Sequence, residues 1–180
     1  MKRSALFLDR DGVINEDRRY VHKIEDFYFI EGIFDLCRRA KSIGMLIMIV
    51  TNQAGIGRGY YTEEQFHFLS DWMVKYFANE GIQIDGIYFC PFHPEHGIGR
   101  YKINCKDRKP EPGMIYRACD EHALDLESSV LIGDKKEDIQ AAQNAGIGTS
   151  VLFSGKTIEM TVQPDLVSSS LIELTELLFP

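Results

Sequence analysis

The sequence lacks an apolar run that could cross a membrane, and it lacks a cluster of cysteines. Its longest apolar segment covers residues 45–50, far fewer than the roughly 20 residues of a membrane-spanning helix. The apolar stretch near the N-terminus is interrupted by Asp9, which is not the pattern of a signal peptide. The four cysteines are scattered along the chain, so no disulfide framework is expected. These absences favour a cytoplasmic protein with reduced thiols.

Positive charge is also scarce in the chain as a whole. The 180 residues carry a formal net charge of −7, which argues against a nonspecific nucleic-acid-binding protein, because phosphate backbones are bound by excess Lys and Arg. One segment departs from this balance, since residues 100–109 contain five basic residues and the single acidic residue Asp107. We therefore expect a small anionic metabolite as the partner, with no nucleic acid and no membrane.

The chain also lacks internal repeats, low-complexity tracts and Ser/Gly-rich linkers. Its length suits one well-buried core and is short for two. We therefore predict a single domain over residues 1–180, and we expect a monomer.

Short apolar runs alternate with amphipathic patterns along the chain. The runs predict strands at residues 6–8, 45–50, 87–89, 130–132 and 151–153. The patterns predict helices at residues 31–42, 62–80, 112–122, 136–144 and 170–178. The second of these begins with Thr62 and Gln65 at the spacing of a capping box. This alternation is typical of an α/β fold with a doubly wound parallel sheet and helices on both faces.

Two long segments, residues 10–29 and 91–111, fit no helix or strand. Segments of this length inside a compact domain are usually functional or disordered. Both follow predicted strand ends, which is the edge at which open α/β sheets bind ligands. We therefore expect the functional site there.

The first predicted strand ends on Asp9 and Asp11, followed by Gly12. Side chains at i and i+2 of an extended strand point the same way, so both carboxylates can face one point beyond the strand. Two such carboxylates need a proton or a cation between them, and oxygen ligands suit Mg²⁺. Taken alone, the pair is equally compatible with a turn-capping Asp9 and a solvated Asp11.

Thr51 and Asn52 follow the second predicted strand and lead into a glycine-rich turn. A hydroxyl and free N–H groups in such a turn can bind an anion. The alternative is a glycine-rich turn capped by Thr51.

Two further strand ends and helix starts carry charged residues. Asp134 ends the fourth predicted strand and Asp138 lies in the next helix, while Lys109 precedes a helix that begins near a proline. Taken singly, the two acids could merely complement the helix dipole, and Lys109 could be solvated.

Together these motifs run in the order Asp-x-Asp-Gly, Thr-Asn, Lys-Pro and Gly-Asp…Asp, which resembles the haloacid dehalogenase (HAD) superfamily over nearly the whole chain. The segments FLDRDGVIN, VTNQAGIGRG, RKPEPGM and IGDKKEDIQAA are similar to D,D-heptose 1,7-bisphosphate phosphatases and histidinol-phosphate phosphatases. No large cap domain fits between the motifs, so the resemblance implies the compact, capless form of the fold.

The resemblance also implies roles for individual residues. Asp9 would be the nucleophile that forms an aspartyl-phosphate, and Asp11 would be the general acid and base. Thr51 and the Asn52 N–H would hold the phosphate, with Lys109 stabilising its charge.

Mg²⁺ would be held by the Asp9 carboxylate, the Asp11 carbonyl and the Asp134 carboxylate. Asp138 would lie next to these ligands without binding the metal itself, and Lys135 would lie nearby without an assigned role.

Two arginines are candidates for binding a second substrate anion, as a bisphosphate would require. They are Arg58 and Arg108. The alternative for each is a surface charge, more so for Arg58, because Arg108 adjoins Lys109.

The family usually holds a structural zinc in the loop before the lysine, through Cys-x-His and Cys-x-Cys. Here Phe92 and Asp107 stand at two of those four positions. Zinc could still bind Cys90, His93 and Cys105, completed by either His96 or Asp107. A structural site needs its full ligand count, so we expect packing of Phe92 to order the loop instead of zinc.

The family resemblance implies a Mg²⁺-dependent phosphatase acting on D-glycero-D-manno-heptose 1,7-bisphosphate at C7. Histidinol phosphate is the alternative substrate, and the catalytic residues do not separate the two. A DNA 3′-phosphatase has a similar first motif but would need a broader basic surface. A non-catalytic phosphosugar-binding protein would have lost a catalytic side chain, and none is missing.

Overall fold

The computed structural model describes residues 2–155 and 162–180, and a parallel sheet runs through the middle of them. Its six strands lie in the order β3-β2-β1-β4-β5-β6, and every neighbouring pair is parallel. The strands are β1 (Ala5–Leu8), β2 (Leu46–Asn52), β3 (Gly86–Cys90), β4 (Val130–Gly133), β5 (Thr149–Phe153) and β6 (Leu166–Ser168).

Helices connect these strands, and all but the short second one lie where the sequence pattern predicts. They are α1 (Ile33–Ser42), α2 (Ala54–Gly57), α3 (Glu63–Asn79), α4 (Gly113–His122), α5 (Lys136–Ala145) and α6 (Leu171–Leu178). The capping box at the start of α3 is present, because Thr62 Oγ1 accepts from Gln65 N and Gln65 Oε1 accepts from Thr62 N. None of these helices, within the residues described, is long and apolar enough to cross a membrane.

The core has two parts, one on each face of the sheet. On β1, Leu6 and Leu8 belong to a cluster with residues of α1, α3 and α6, while Ala5 and Phe7 belong to a cluster with residues of α4 and α5. Alternate residues of a strand point to opposite faces, so the helices cover both faces of the sheet. The predicted doubly wound α/β fold is confirmed.

Two details of the strands also differ from the prediction. The strand β6 was missed, because its three residues pair only with β5 at the edge of the sheet and carry no apolar run. The second strand is longer than predicted, so Thr51 and Asn52 lie within β2, where they pair with residues at the end of β3. A single sequence does not show that its neighbouring strand continues far enough to extend the pairing.

The position of β1 in the sheet determines where a ligand can bind. β1 lies between β2 and β4. The strands β2 and β3 extend the sheet on one side of β1, and β4, β5 and β6 extend it on the other. In open α/β sheets this switch point opens a crevice at the carboxyl ends of the strands. The segment after β1 follows this edge and is packed rather than loose, because Val13, Ile14 and Val21 are buried.

Candidate active site

A pocket of about 550 Å³ lies at the carboxyl ends of β1, β2 and β4. It brings together side chains that are more than a hundred residues apart in the sequence. Its lining includes the predicted residues Asp9, Asp11, Thr51, Asn52, Arg108, Lys109 and Asp138.

Asp9 directly follows β1, and its backbone N–H donates to the Ile132 carbonyl of the neighbouring strand at 3.0 Å. Its side chain is 9% exposed. Oδ1 accepts a hydrogen bond from the Arg10 N–H at 2.7 Å and lies 3.1 Å from Lys109 Nζ. Asp9 is therefore a buried, oriented carboxylate rather than a surface turn cap.

Asp11 lies at the same edge and is held by three side chains. Arg10 Nη2 donates to both of its oxygens at 2.9 and 2.8 Å, Asn15 Nδ2 donates at 3.0 Å, and Gln53 Nε2 donates at 3.0 Å. The alternative of a freely solvated Asp11 is therefore wrong. The carboxylate has a fixed position beside the pocket.

Lys109 is 3% exposed, and its ammonium group has a partner for each of its three protons. Nζ lies 2.7 Å from the Val50 carbonyl, 2.6 Å from Asp138 Oδ1 and 3.1 Å from Asp9 Oδ1. Burial lowers the pKa of Lys109, but the charges of Asp138 and Asp9 outweigh burial and raise it above its ordinary value. The alternative of a solvated lysine is therefore wrong.

Asn52 positions the backbone on which Lys109 stands. Its Nδ2 donates to the Lys109 carbonyl at 3.1 Å, and its Oδ1 accepts from the Lys109 N–H at 3.0 Å. Thr51 beside it is 1% exposed, and its Oγ1 accepts from Gln53 Nε2 at 2.8 Å. At the end of β2, Asn52 thus binds the backbone of Lys109, and Thr51 lines the pocket.

Three carboxylates, those of Asp9, Asp134 and Asp138, have oxygen atoms within 4.8 Å of one another. Burial raises the pKa of Asp9 to about 6 despite the charge of Lys109, and repulsion from Asp138 and Asp11 adds to the effect. Burial and repulsion from Asp9 raise the pKa of Asp134 to about 8. Such a cluster is stable in its ionised form only when positive charge compensates it.

The chemistry of this cluster fits a divalent cation with oxygen ligands. Asp138 is already occupied, because Oδ1 binds Lys109 and Oδ2 accepts from the Lys135 N–H at 3.0 Å. Asp134 Oδ1, in contrast, is buried with no hydrogen-bond partner among the described residues. Gly12 leaves room for this carboxylate, since a Cβ there would lie 2.3 Å from Asp134 Oδ2.

The two predicted anion-binding arginines have different positions. Arg108 lines the pocket, and its Nη1 donates to the Phe92 carbonyl at 3.2 Å. Arg58 is not among the lining residues, and its Nη1 donates to Tyr20 Oη at 3.0 Å. Both guanidinium groups lie close enough to lower the pKa of His93, after burial as the main cause.

Lys135 was expected near the site without an assigned role, and its Nζ lies 3.1 Å from Asp17 Oδ2, a contact that the sequence does not reveal. Other pocket residues were missed by sequence reasoning. Arg19 and Tyr20 also line the pocket, both with left-handed backbone (φ +63° and +56°). Gln53 follows the Thr-Asn motif directly, and this adjacency is the one signal that could have identified it.

The candidate zinc ligands do not form a cluster in the described part of the chain, where the group gathered at ligand spacing consists of the three carboxylates. Cys90 is buried, with burial raising its pKa to about 12. His93 Nδ1 accepts from the N–H groups of Glu95 and His96, and Asp107 Oδ2 lies 3.4 Å from Arg117. Phe92 and Cys105 pack against the apolar cluster that contains Cys90. Ordering of the loop by packing stays a prediction.

Comparisons with known proteins identify relatives of this chain. A family model described as HAD-hydrolase-like matches residues 107–174. A D-glycero-alpha-D-manno-heptose-1,7-bisphosphate 7-phosphatase of Burkholderia mallei is 61% identical over 153 residues, which are 85% of this chain and 81% of that protein. A D-glycero-beta-D-manno-heptose-1,7-bisphosphate 7-phosphatase of Vibrio cholerae is 52% identical over 159 residues, 88% of this chain and 86% of that protein.

A solved structure is similar over nearly the whole chain. It is the D,D-heptose 1,7-bisphosphate phosphatase of B. bronchiseptica complexed with magnesium and phosphate. The two chains share 27% sequence identity with a TM-score of 0.80, and the match covers 97% of each.

Proposed function

Because this chain is a phosphatase that belongs to the family of D-glycero-D-manno-heptose-1,7-bisphosphate 7-phosphatases, we propose that it hydrolyses the C7 phosphate ester of that sugar bisphosphate. The family resemblance in the four sequence motifs is confirmed by these relatives. The observation that carries the proposal is the convergence of Asp9, Asp11, Thr51 and Lys109 on one pocket beside Asp134.

Asp9 is the proposed nucleophile. Its carboxylate oxygen attacks phosphorus, the bond between phosphorus and the sugar oxygen breaks, and an aspartyl-phosphate forms. Asp11 gives its proton to the departing sugar oxygen. A water molecule then attacks the same phosphorus and loses its proton to Asp11, which releases inorganic phosphate and restores Asp9.

The transferred phosphoryl group is held by Thr51, the Asn52 N–H and Lys109. Lys109 is fixed on both sides, by Asp138 through its ammonium group and by Asn52 through its backbone. A cation held in this way needs little rearrangement during the reaction, which makes its stabilisation of developing charge effective.

Mg²⁺ is the cofactor that the cluster of carboxylates supports. The Asp9 and Asp134 carboxylates and the Asp11 carbonyl are its proposed ligands, and the unpartnered Oδ1 of Asp134 favours this assignment. When bound, Mg²⁺ supplies positive charge that reduces repulsion between the Asp9 carboxylate and the phosphate. The solved relative complexed with magnesium and phosphate supports the same choice.

A second phosphate requires positive charge away from Lys109. Arg108 in the pocket wall supplies it, with Arg58 nearby. This excess of guanidinium groups favours a sugar bisphosphate over histidinol phosphate, whose single phosphate needs no second anion site. A cytoplasmic location and a monomeric state remain predictions from the sequence.

The test is phosphate release in the presence of Mg²⁺ from both anomers of heptose 1,7-bisphosphate, from histidinol phosphate and from a 3′-phosphorylated oligonucleotide. We expect the highest kcat/KM for one of the heptose bisphosphates. A preference for histidinol phosphate or the oligonucleotide would contradict the proposed substrate.

The Asp9→Asn variant tests whether the protein is a catalyst acting through this residue. We expect its phosphate release to be lost with the fold retained, whereas Asp71→Asn, an exposed position on α3, behaves as the wild type. Undiminished release by Asp9→Asn would contradict the assignment of the nucleophile.

A further inference from the structure

Gln53 is a buried residue next to the phosphate-binding motif that has no assigned role. The residue is 2% exposed, and its amide contacts two of the residues on which the proposed chemistry depends. Nε2 donates to Asp11 Oδ2 at 3.0 Å and to Thr51 Oγ1 at 2.8 Å. The two protons of this amide are therefore divided between the proposed general acid and base and the proposed phosphate ligand.

The orientation of the amide is determined by its surroundings. The Tyr61 hydroxyl donates to Gln53 Oε1, so the oxygen end faces the tyrosine and the nitrogen end faces the site. Turning the amide over would place its oxygen against the Asp11 carboxylate, which in its ionised form can only accept hydrogen bonds. Tyr61 and Asp11 thus fix the same orientation from opposite ends.

Tyr61 is itself held firmly. It is 5% exposed, and the ring of His22 stacks on it with 5.0 Å between centroids and 1° between planes. Gly55 allows this close packing, because a Cβ there would lie 2.3 Å from Tyr61 Cε1. The segment after β1 and the segment after β2 therefore meet at the tyrosine that orients Gln53.

This orientation has a consequence for Thr51. A hydroxyl has one proton, and because Thr51 Oγ1 accepts from Gln53, that proton stays available for a phosphate oxygen in the pocket. A hydrogen-bond acceptor in place of Gln53 Nε2 would instead accept the Thr51 hydroxyl proton, so Thr51 could no longer donate it to the phosphate.

We propose that Gln53, oriented by Tyr61, is a positioning residue that holds the Asp11 carboxylate in place and directs the Thr51 proton toward the phosphate. The inference rests on the proposed function, since it takes the roles of Asp11 and Thr51 from there. Gln53 itself touches neither the phosphate nor the departing sugar oxygen in this scheme.

Two substitutions at Gln53 separate its two actions. Gln53→Leu has a similar volume and removes the donor to Asp11 without adding an acceptor. We expect kcat to fall at least tenfold, which corresponds to roughly 1.4 kcal/mol, with KM changed less than threefold. Gln53→Glu places acceptor oxygens against Thr51 and Asp11, so we also expect inorganic phosphate to inhibit at least tenfold more weakly than it inhibits the leucine variant.

The Tyr61→Phe variant tests the orientation with less disturbance of the core. We expect kcat to fall severalfold in the wild-type background and to show no further fall in the Gln53→Leu background. Tyr60→Phe is the matched control, because Tyr60 is exposed and lies outside the pocket, and it is expected to match the wild type.

These outcomes differ from those of a merely structural role. If kcat of Gln53→Leu stayed within twofold of the wild type, or if the leucine and glutamate variants bound phosphate equally, the inference would be wrong. Equal effects of Tyr61→Phe in both backgrounds would also overturn it. Full activity of Asp9→Asn would overturn the proposed function instead, so the two failures are distinguishable.

Discussion

Asp9 and Asp134 are buried carboxylates that the fold holds close together against their mutual repulsion. Burial raises the pKa of both above the ordinary value of 3.8. A group whose pKa is raised on folding contributes stability below its unfolded pKa, and this contribution is lost as the pH rises through the folded pKa. The metal-free protein therefore loses stability from about pH 4 to about pH 8 on account of these residues.

The Asp134→Asn variant should lose its response to Mg²⁺ while gaining stability without metal. Near pH 8 in the presence of a chelator, we expect its free energy of unfolding to exceed that of the wild type by about 1–3 kcal/mol. Near pH 5 the difference should be smaller, because the folded wild type is then mostly protonated at this position. Urea denaturation at both pH values, with and without Mg²⁺, measures these differences. A variant less stable than the wild type near pH 8 would contradict the account.

Gly12 illustrates a position where both the backbone and the neighbouring side chain require glycine. Its φ is +96°, and a Cβ would meet the Asp134 carboxylate. Gly44 has a similar φ of +88° but open space around it. We expect Gly44→Ala to cost about 1 kcal/mol of stability with unchanged activity, and Gly12→Ala to lose Mg²⁺-dependent activity as well. Kinetics and urea denaturation of both variants make the comparison. Equal activity of the two would show that the crowding at Asp134 has no consequence.

At the scale of single residues, the sequence allowed prediction of those that stand in motifs. Asp9 and Asp11 were identifiable because the other three motifs accompany them, since the pair alone was equally compatible with a turn cap and a solvated side chain. Gln53 was not identified, because its importance arises from burial between Asp11 and Tyr61, and its adjacency to the Thr-Asn motif is the only trace of it in the sequence.

At the scale of elements, the long strands and helices could be predicted from apolar periodicity. The strand β6 and the end of β2 could not, because they depend on hydrogen bonds to a neighbouring strand. β6 is held to β5 by a contact that periodicity cannot reveal. Asp165, just before β6, accepts hydrogen bonds through Oδ2 from both the N–H and the hydroxyl of Ser150 at 2.7 Å. These bonds lower the pKa of Asp165. The carboxylate therefore links the edge strand to the sheet.

The Asp165→Ala variant tests this link. We expect a loss of about 1–2 kcal/mol in the free energy of unfolding, since Ser150 is buried and loses its acceptor. A lowered pKa contributes stability that is present above the unfolded pKa and is lost as the pH falls through the folded one. The difference from the wild type should thus be equal near pH 7 and near pH 5, and smaller below about pH 4. Urea midpoints at these pH values measure it. A difference that grew on acidification would contradict the assigned role.

At the scale of the whole molecule, the two apolar clusters share β1, whose alternate residues belong to opposite sides. Loss of packing in either cluster would expose one face of β1, whose other face forms part of the second cluster. This arrangement supports the prediction of one domain. The four motifs, far apart in the sequence, meet at one edge of the sheet because its strands are all parallel.

We therefore expect unfolding in one cooperative transition. Trp72, the single tryptophan of the chain, packs against the cluster beneath α3, so its fluorescence reports one face of the sheet. Far-ultraviolet circular dichroism reports the helices of both faces. The two urea transitions should coincide, and separate midpoints would contradict the prediction of a single domain.

The account depends most directly on covalent catalysis by Asp9. Enzyme quenched with acid during turnover of heptose 1,7-bisphosphate and Mg²⁺ can be digested and analysed by mass spectrometry. We expect one phosphoryl group on the peptide that contains Asp9, and none in the Asp9→Asn variant. Rapid phosphate release with the phosphoryl group on another residue, or with no covalent phosphate during turnover, would contradict the account.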